Sequence, residues 1–351
     1  MRGEFAFSFG LTAVCLIGAG YYGFSTGGVP AMLSFLLIAA ILGVMEVSLS
    51  FDNAVVNASV LRNMTPLWQR RFLTWGIAIA VFGMRFLFPI VIVAIIAGLG
   101  FGEVVRMAFA DPEAYSRNLE AAHVPISAFG GAFLMMVFLK YLMDPEKDVH
   151  WFGVLEERLA KIGRLEAIQI FITGTLLLLA VNFLVAPEER LSALTSGMVG
   201  LLTYVLIDAL GGLFDADNIA ANAGKAGAMS FLYLEVLDAS FSLDGVIGAF
   251  AITKDVVVIA AGLAIGAAFV RSLTLLLVRK GTLQQYIFLE HGAHYGIGSL
   301  AIIMLLSMSH DIHIPEVITG LIGLAFIVGA VLWSLRHRRI YPNQADGEPS
   351  A

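Results

Sequence analysis

Residues 46–52 read Glu-Val-Ser-Leu-Ser-Phe-Asp and residues 238–244 read Asp-Ala-Ser-Phe-Ser-Leu-Asp. Both are acid-x-Ser-x-Ser-x-Asp, and each lies inside a long apolar run, where four matched polar positions are not expected by accident. An ionisable group at bilayer depth costs at least ~2.5–3.5 kcal/mol on insertion scales. Two copies of such a motif are tolerable only if they face inward and are compensated there.

The surroundings of the motif are built for lipid. Of 351 residues, 59% are apolar and only 14% are Asp, Glu, Lys or Arg, where a soluble domain carries roughly 25% charge. Mean hydropathy is +0.86. These values exclude a soluble enzyme and a disordered chain, and the net charge of −6 excludes a nucleic-acid partner, which would need a basic face. Cys15 is the only cysteine, so neither an intrachain disulfide nor a cysteine-cluster metal site can form.

A bilayer-crossing helix needs about 20 mostly apolar residues. Ten such runs occur, at about 5–24, 31–58, 72–99, 126–143, 166–186, 197–214, 229–253, 255–278, 294–309 and 314–335. The first lacks a small-residue cleavage site and reads as a retained helix; a cleaved leader would leave nine spans. With ten spans, fourteen Lys and Arg residues fall in the connections on one side and four on the other, which places both termini in the cytoplasm. The expected fold is therefore all-α, a polytopic transmembrane helix bundle in the inner membrane. Residues 1–340 form one domain with the lipid bilayer as partner, and 341–351 form a disordered cytoplasmic tail. Nothing in the sequence fixes an oligomeric state.

The motif copies lie in the second and seventh spans. An odd separation makes them cross the bilayer in opposite directions, the mark of an inverted-topology repeat around a midplane site; the halves cover about 31–143 and 229–310. Arg85 follows Asp52 by 33 residues and Arg271 follows Asp244 by 27, each deep in the next span. Arginine stays charged, so Glu46, Asp52, Asp238 and Asp244 against Arg85 and Arg271 leave two negative charges when all the acids ionise. A divalent cation or two protons would neutralise them; partly protonated acids with static arginine pairs are the simpler alternative. The donors at hand are carboxylates, the hydroxyls of Ser50 and Ser242, the amide of Asn53 and backbone carbonyls. This oxygen-only set suits Mn²⁺, Ca²⁺ or Mg²⁺ as a transported ion, and no tightly bound cofactor is expected. At about 100° per residue, Glu46, Ser50, Asn53 and Asn57 share one stripe while Asp52 points to the far side. Either the helix is interrupted near Ser50–Asn53, as the glycine beside Asp244 suggests for the second copy, or protein surrounds it on both faces.

Glu46-Val-Ser-Leu-Ser-Phe-Asp52-Asn53, Asp238-Ala-Ser-Phe-Ser-Leu-Asp244 and an intramembrane arginine in each following helix resemble the TerC family of integral membrane proteins, over roughly residues 31–310. Within it they are most similar to a bacterial branch of unknown function. The resemblance implies a transporter superfamily linked to manganese export, to metal loading of secreted enzymes and, by an older label, to tellurium resistance.

Weaker signals surround this core. Asp208 and Asp217 suggest an acidic cytoplasmic vestibule or simply a solvated loop, and Glu235 shares a helix face with Asp238 as an accessory ligand or a helix-end carboxylate. Glu290, His291 and His294, and separately His310, Asp311 and His313, are loop clusters that are usually just solvated. Residues 149–165 have the pattern of a helix lying at the membrane interface or of a surface helix packed on neighbouring spans. The functional expectation is a secondary transporter exporting a divalent metal ion, Mn²⁺ foremost. The alternative is a membrane scaffold or tellurium/metal-resistance factor that binds metal or a partner without turnover. An intramembrane aspartyl protease does not fit, since neither Asp52 nor Asp244 stands in a Tyr-Asp or Gly-x-Gly-Asp context.

Overall fold

Helix α1 (Ala6–Leu49) doubles back on itself at Gly27 and Gly28, where the backbone leaves the helical region and Gly28 takes φ 69°, an angle that costs glycine nothing. Tyr22 stacks on Phe35 at 5.8 Å and Ala19 clusters with Ala39. The first two expected spans are thus the limbs of one helical hairpin. This computed structural model describes residues 5–147, 149–163, 165, 167–215, 219–312 and 314–340.

After α1 come α2 (Phe51–Leu61) and α3 (Pro66–Arg71), then two π-helical stretches, Phe72–Gly76 and Ile79–Leu87, leading into α4 (Phe88–Ala97). The next elements are α5 (Phe101–Ala110), α6 (Pro112–Ala121), α7 (His123–Leu142), α8 (Val154–Ile162) and α9 (Ile168–Leu184). The last are α10 (Arg190–Asp215), α11 (Ile219–Ile252), α12 (Val256–Arg279), α13 (Thr282–Gln285), α14 (Leu289–Leu306) and α15 (Glu316–Ile340). Among the described residues all regular structure is helical, as expected.

Six helices among the described residues are long and apolar enough to cross a bilayer: Ala6–Leu49, Ile79–Ala97, His123–Leu142, Arg190–Gly211, Val256–Arg279 and Ile318–Ile340; Ile168–Leu184 is shorter. This is fewer than the ten expected runs, and the reasons are local. Helix α1 contains two of them. Helix α11 carries Glu235, Asp238 and Asp244 within ten positions, and α14 opens with Glu290, His291 and His294. Large apolar side chains such as Ile17, Ile95, Phe183 and Leu191 are exposed around the bundle. That surface suits acyl chains, and the helices mark the chain as a membrane protein.

Helix α7 is the centre. Most of its residues are buried, and α9, α10, α11 and α14 pack around it. Phe133, Leu134, Met135 and Met136 sit in the main core cluster with Leu177, Leu201, Leu237 and Met304. Between helices in lipid the hydrophobic effect gives little, so close approach of small residues matters more. Helices α1 and α12 meet in this way: a side chain at Gly262 would run into Leu42, and one at Gly266 into Glu46, one helical turn further along each. Ser8 adds hydrogen bonds to the Ala268 carbonyl at 2.8 Å and to Ser272 at 2.7 Å. Helix α11 runs antiparallel to the 42–61 segment, since Leu42 clusters with Val246 and Phe250 while Leu61 clusters with Leu234.

The helix expected over 149–165 is α8; its Val154, Leu155 and Ile162 are exposed while Leu159 and the preceding Trp151 pack against neighbouring spans. Its anchor is polar. Glu156, 0% exposed, accepts hydrogen bonds from Lys147 Nζ at 2.8 Å, Tyr295 Oη at 2.8 Å and the Phe152 N–H at 3.1 Å. Burial pushes this carboxyl up, yet those donors together hold it below the usual carboxylate value of 4.5. The depressed value makes the charged form the stabilising one: its contribution is complete above 4.5 and is lost as pH falls through the lower folded value. Glu156→Ala strands Lys147 and is expected to lower stability by ~3–5 kcal/mol at neutral pH. Thermal melts in detergent from neutral to acid pH check this, and the gap between wild type and variant should narrow on acidification.

Candidate functional site

Glu46 ends the second limb of α1. The glycine-lined approach of α12 presses it inward, to 3% exposure. Its Oε1 accepts from Arg85 Nη2 in a short buried ion pair, and from Ser50 Oγ at 3.1 Å. Its Oε2 lies against Gly245, where an added Cβ would stand 2.8 Å away. Gly245 therefore makes room for the carboxylate of the opposite motif copy.

Arg85 sits in the π-helical stretch Ile79–Leu87, a winding often found at functional sites. Its Nη1 donates to the Ala80 carbonyl at 2.8 Å and lies 3.8 Å from Asp238 Oδ2. Arg271 Nη2 is 3.4 Å from the same Asp238 oxygen and 3.4 Å from Glu235 Oε1, while its guanidinium lies over the Phe72 ring at 4.0 Å. Asn53 Nδ2 donates to Asp238 Oδ1 at 2.8 Å. The result is a buried chain of alternating charge, Glu46, Arg85, Asp238, Arg271, Glu235, which ties the first acids of the two motif copies to one guanidinium.

Asp52 stands apart from this chain. Among the described residues its one hydrogen bond comes from the neighbouring Asn53 N–H at 2.9 Å, and it has no cationic partner. Its Oδ2 faces Gly296 of α14 and Gly323 of α15, where added Cβ atoms would stand 3.2 and 3.1 Å away. A cavity of about 50 Å³ adjoins it, lined by Glu46, Leu49, Ser50, Asp52, Phe241, Gly245, Gly296, Leu300, Thr319 and Gly320.

The sequence expectations fare unequally. Glu46, Ser50, Asp52, Asn53, Asp238, Arg85, Arg271 and Glu235 are all buried and gathered here. Ser242 is buried too, and its hydroxyl has no partner among the described residues. The side chain of Asp244, and Asp217 altogether, lie outside the described residues. Asp208 does not join the centre: it is exposed on α10 and pairs with Lys140 at 3.1 Å. The expected interruption is a single residue in the first copy. Ser50 leaves the helix at φ −103°, ψ 20°, while hydrogen bonds from Ser50 N to Glu46 and from Ala54 N to Ser50 carry on across it. Helix α11 runs on through the second copy. Protein on both faces of α2 is what lets Glu46 and Asp52 reach one cavity: Asp52 through Ser59 are buried all round.

Sequence reading missed the far wall of the cavity, Gly296, Thr319 and Gly320, which belong to spans with no motif. Their signal is faint, glycines at helical spacing in otherwise large-residue runs. Among the described residues no three His, Cys, Asp or Glu side chains converge as a ready-made cation cage. The arginines stand between the carboxylates instead. Several polar atoms in the same region have no partner among the described residues, including Arg85 Nε, Arg271 Nη1, Asn53 Oδ1, both amide atoms of Asn57 and Glu235 Oε2.

Three buried carboxylates, Glu46, Asp238 and Glu235, and two guanidiniums in low dielectric hold one another in place, because removing one partner leaves an uncompensated charge. Arg85→Met should therefore cost ~3–5 kcal/mol, read as a drop in thermal stability in detergent. Adding Glu46→Gln to Arg85→Met should recover part of that loss. An additive double variant would show that the pair is not coupled.

Compared with known proteins, the chain matches the family described as "Protein of unknown function (DUF475)" over residues 51–341. No curated protein and no solved structure matches it. The matched segment holds α2, Arg85, α11 and Arg271, the elements that carry most of the buried charge chain, so the chain belongs to the DUF475 family.

Proposed function

We propose that this chain is a secondary transporter that exports a divalent metal ion, Mn²⁺ foremost with Ca²⁺ or Mg²⁺ as alternatives, in the manner the TerC-like motifs imply. The proposed unit is a ten-span bundle in the inner membrane with both termini cytoplasmic. Its two inverted halves rock about the midplane to give alternating access. The observation that carries this reading is the sharing of Arg85 by Glu46 and Asp238, one acid from each half.

In a bilayer interior those carboxylates need positive charge at every stage of a cycle. Arg85 and Arg271 supply it in the arrangement seen. A divalent ion would take over the same oxygens when it enters, and a guanidinium released from one half frees that half to move. The donor set fits a hard cation: carboxylates with Ser50, Ser242 and Asn53, and no thiol or imidazole among them.

Proteoliposomes loaded with a fluorescent Mn²⁺ reporter test the reading directly. Wild type should move Mn²⁺, and Asp52→Asn and Asp238→Asn should each slow the flux by about tenfold or more, the effect of losing a charged ligand worth ~1.4 kcal/mol or more. Flux that is unchanged in both variants, or absent from wild type, rejects it.

A further inference from the structure

Helix α8 has two faces of opposite character. At about 100° per residue, Glu156, Leu159 and Ala160 fall on the side turned to the bundle, and Val154, Leu155 and Ile162 fall opposite, all three exposed. Arg158 stands among those three and Lys161 beside them; both are exposed, and neither has an ion-pair partner among the described residues. Glu157, also exposed, sits at the rim of this face one turn before Lys161. The end of α15 reaches the same level, since Trp151 lies 6.4 Å from Phe288 and Phe288 lies 5.7 Å from His337, and it adds exposed Arg338 and Arg339. Apolar side chains interleaved with cations fit a surface that is acyl below and negatively charged above.

The inner face of α8 leads towards Asp52. Glu156 Oε1 accepts from Tyr295 Oη at 2.8 Å, and the Tyr295 ring meets those of Phe152 at 5.1 Å and Trp151 at 5.7 Å. Gly296, the next residue of α14, is where an added Cβ would stand 3.2 Å from Asp52 Oδ2. Trp151 also lies against Gly329 of α15, the helix that gives Thr319 and Gly320 to the cavity. Any displacement of α8 is therefore carried to both helices of the far cavity wall.

We propose that α8 docks on the anionic phospholipid headgroups of the cytoplasmic leaflet, and that this docking sets the position of Tyr295 and, through it, of the wall beside Asp52. Val154, Leu155 and Ile162 enter the acyl boundary while Arg158 and Lys161 meet the headgroup charge. The inference rests on the cytoplasmic placement of α8 in the transport reading and not on which ion is moved. A zwitterionic leaflet offers the same acyl chains without net negative charge, so the two cations distinguish one leaflet from the other.

The full chain carrying Cys15→Ala and Leu155→Cys, labelled with a fluorophore, tests the docking in vesicles of phosphatidylcholine alone or with about one third phosphatidylglycerol. Brominated acyl chains should quench the label at least about twofold more strongly in the anionic vesicles, and Arg158→Gln with Lys161→Gln should abolish that difference. A label at Phe183→Cys, on an exposed side chain of α9, is the control and should be quenched equally in both. The coupling is read at Thr319→Cys, whose rate of reaction with a small thiol reagent should differ by about threefold or more between the two vesicles. Tyr295→Phe, which removes only the hydroxyl, should erase this rate difference and leave the quenching at Leu155→Cys unchanged. The Arg158→Gln and Lys161→Gln pair, which alters only exposed side chains, should erase it as well. Equal quenching in both lipids, or a difference that survives loss of both cations, overturns the docking. So does absent quenching in labelled chains that elute as a dimer, since a second copy then covers the face. A Thr319→Cys rate indifferent to lipid, or a lipid effect that persists in Tyr295→Phe, overturns the coupling. Neither arm reads Mn²⁺ flux, so failure here leaves the transport reading standing.

Discussion

A guanidinium cannot shed its charge, and in a membrane interior it cannot be left alone. Arg85 meets both conditions by bonding Glu46 of one motif copy and lying beside Asp238 of the other, and much of the surrounding architecture follows from keeping it there. Helix α1 must come close enough to α12 for Glu46 to be interior, which Gly262 and Gly266 permit. The backbone around Arg85 winds as a π-helix, and the Ala80 carbonyl receives a second guanidinium nitrogen. Helix α11 must lie antiparallel to the first copy so that Asp238 arrives from the opposite direction. Substitutions at these glycines would act on the ion pairs even though none of them carries charge.

The two copies match in sequence and divide their duties alike at the first position. Glu46 and Asp238 are equivalent, and both are arginine-bound. They part ways at their neighbours. Arg85 spans from its own copy to the other, whereas Arg271 satisfies its own copy and then turns to Glu235. Glu235 thus stands where strict symmetry would call for Glu46, and Ser242, the counterpart of Ser50, has no partner among the described residues while Ser50 bonds Glu46. Under the transport reading this asymmetry is the expected condition of any one state in a rocking cycle, since two identical halves open to opposite sides cannot have identical contacts at the same time.

How much of this was legible depended on whether a residue's role is set by its own type or by its neighbours. Glu46, Asp52, Asp238, Arg85 and Arg271 announce themselves, because charge inside an apolar run has few explanations. Glu235 was legible from its face, three residues before Asp238. The glycine hairpin in α1 was readable only as two spans, since the angle between them depends on backbone freedom at Gly27 and Gly28. Asp208 was legible as a residue outside the centre, and it is exposed on α10 beside Lys140. The interruption expected in α11 failed for a clearer reason: Gly245 is a clearance for Glu46 across the interface, a use that no local pattern distinguishes from a hinge.

The same distinction explains why the Asp52 cavity has its shape. Three helices, α11, α14 and α15, present glycine towards two carboxylate groups at Gly245, Gly296 and Gly323. Were these positions occupied by Leu or Ile, as their spans' composition would favour, packing there would be denser and the acids would have to protonate or withdraw. Leaving the space open forgoes van der Waals contact that would otherwise stabilise the helix contacts, in a bundle where such contact is the principal cohesive force. The loss lies beside Asp52, which has no cationic partner among the described residues. Under the transport reading a void there is room for a charge that comes and goes, whereas Arg85 and Arg271, packed tightly into the neighbouring chain of ion pairs, supply the charge that stays.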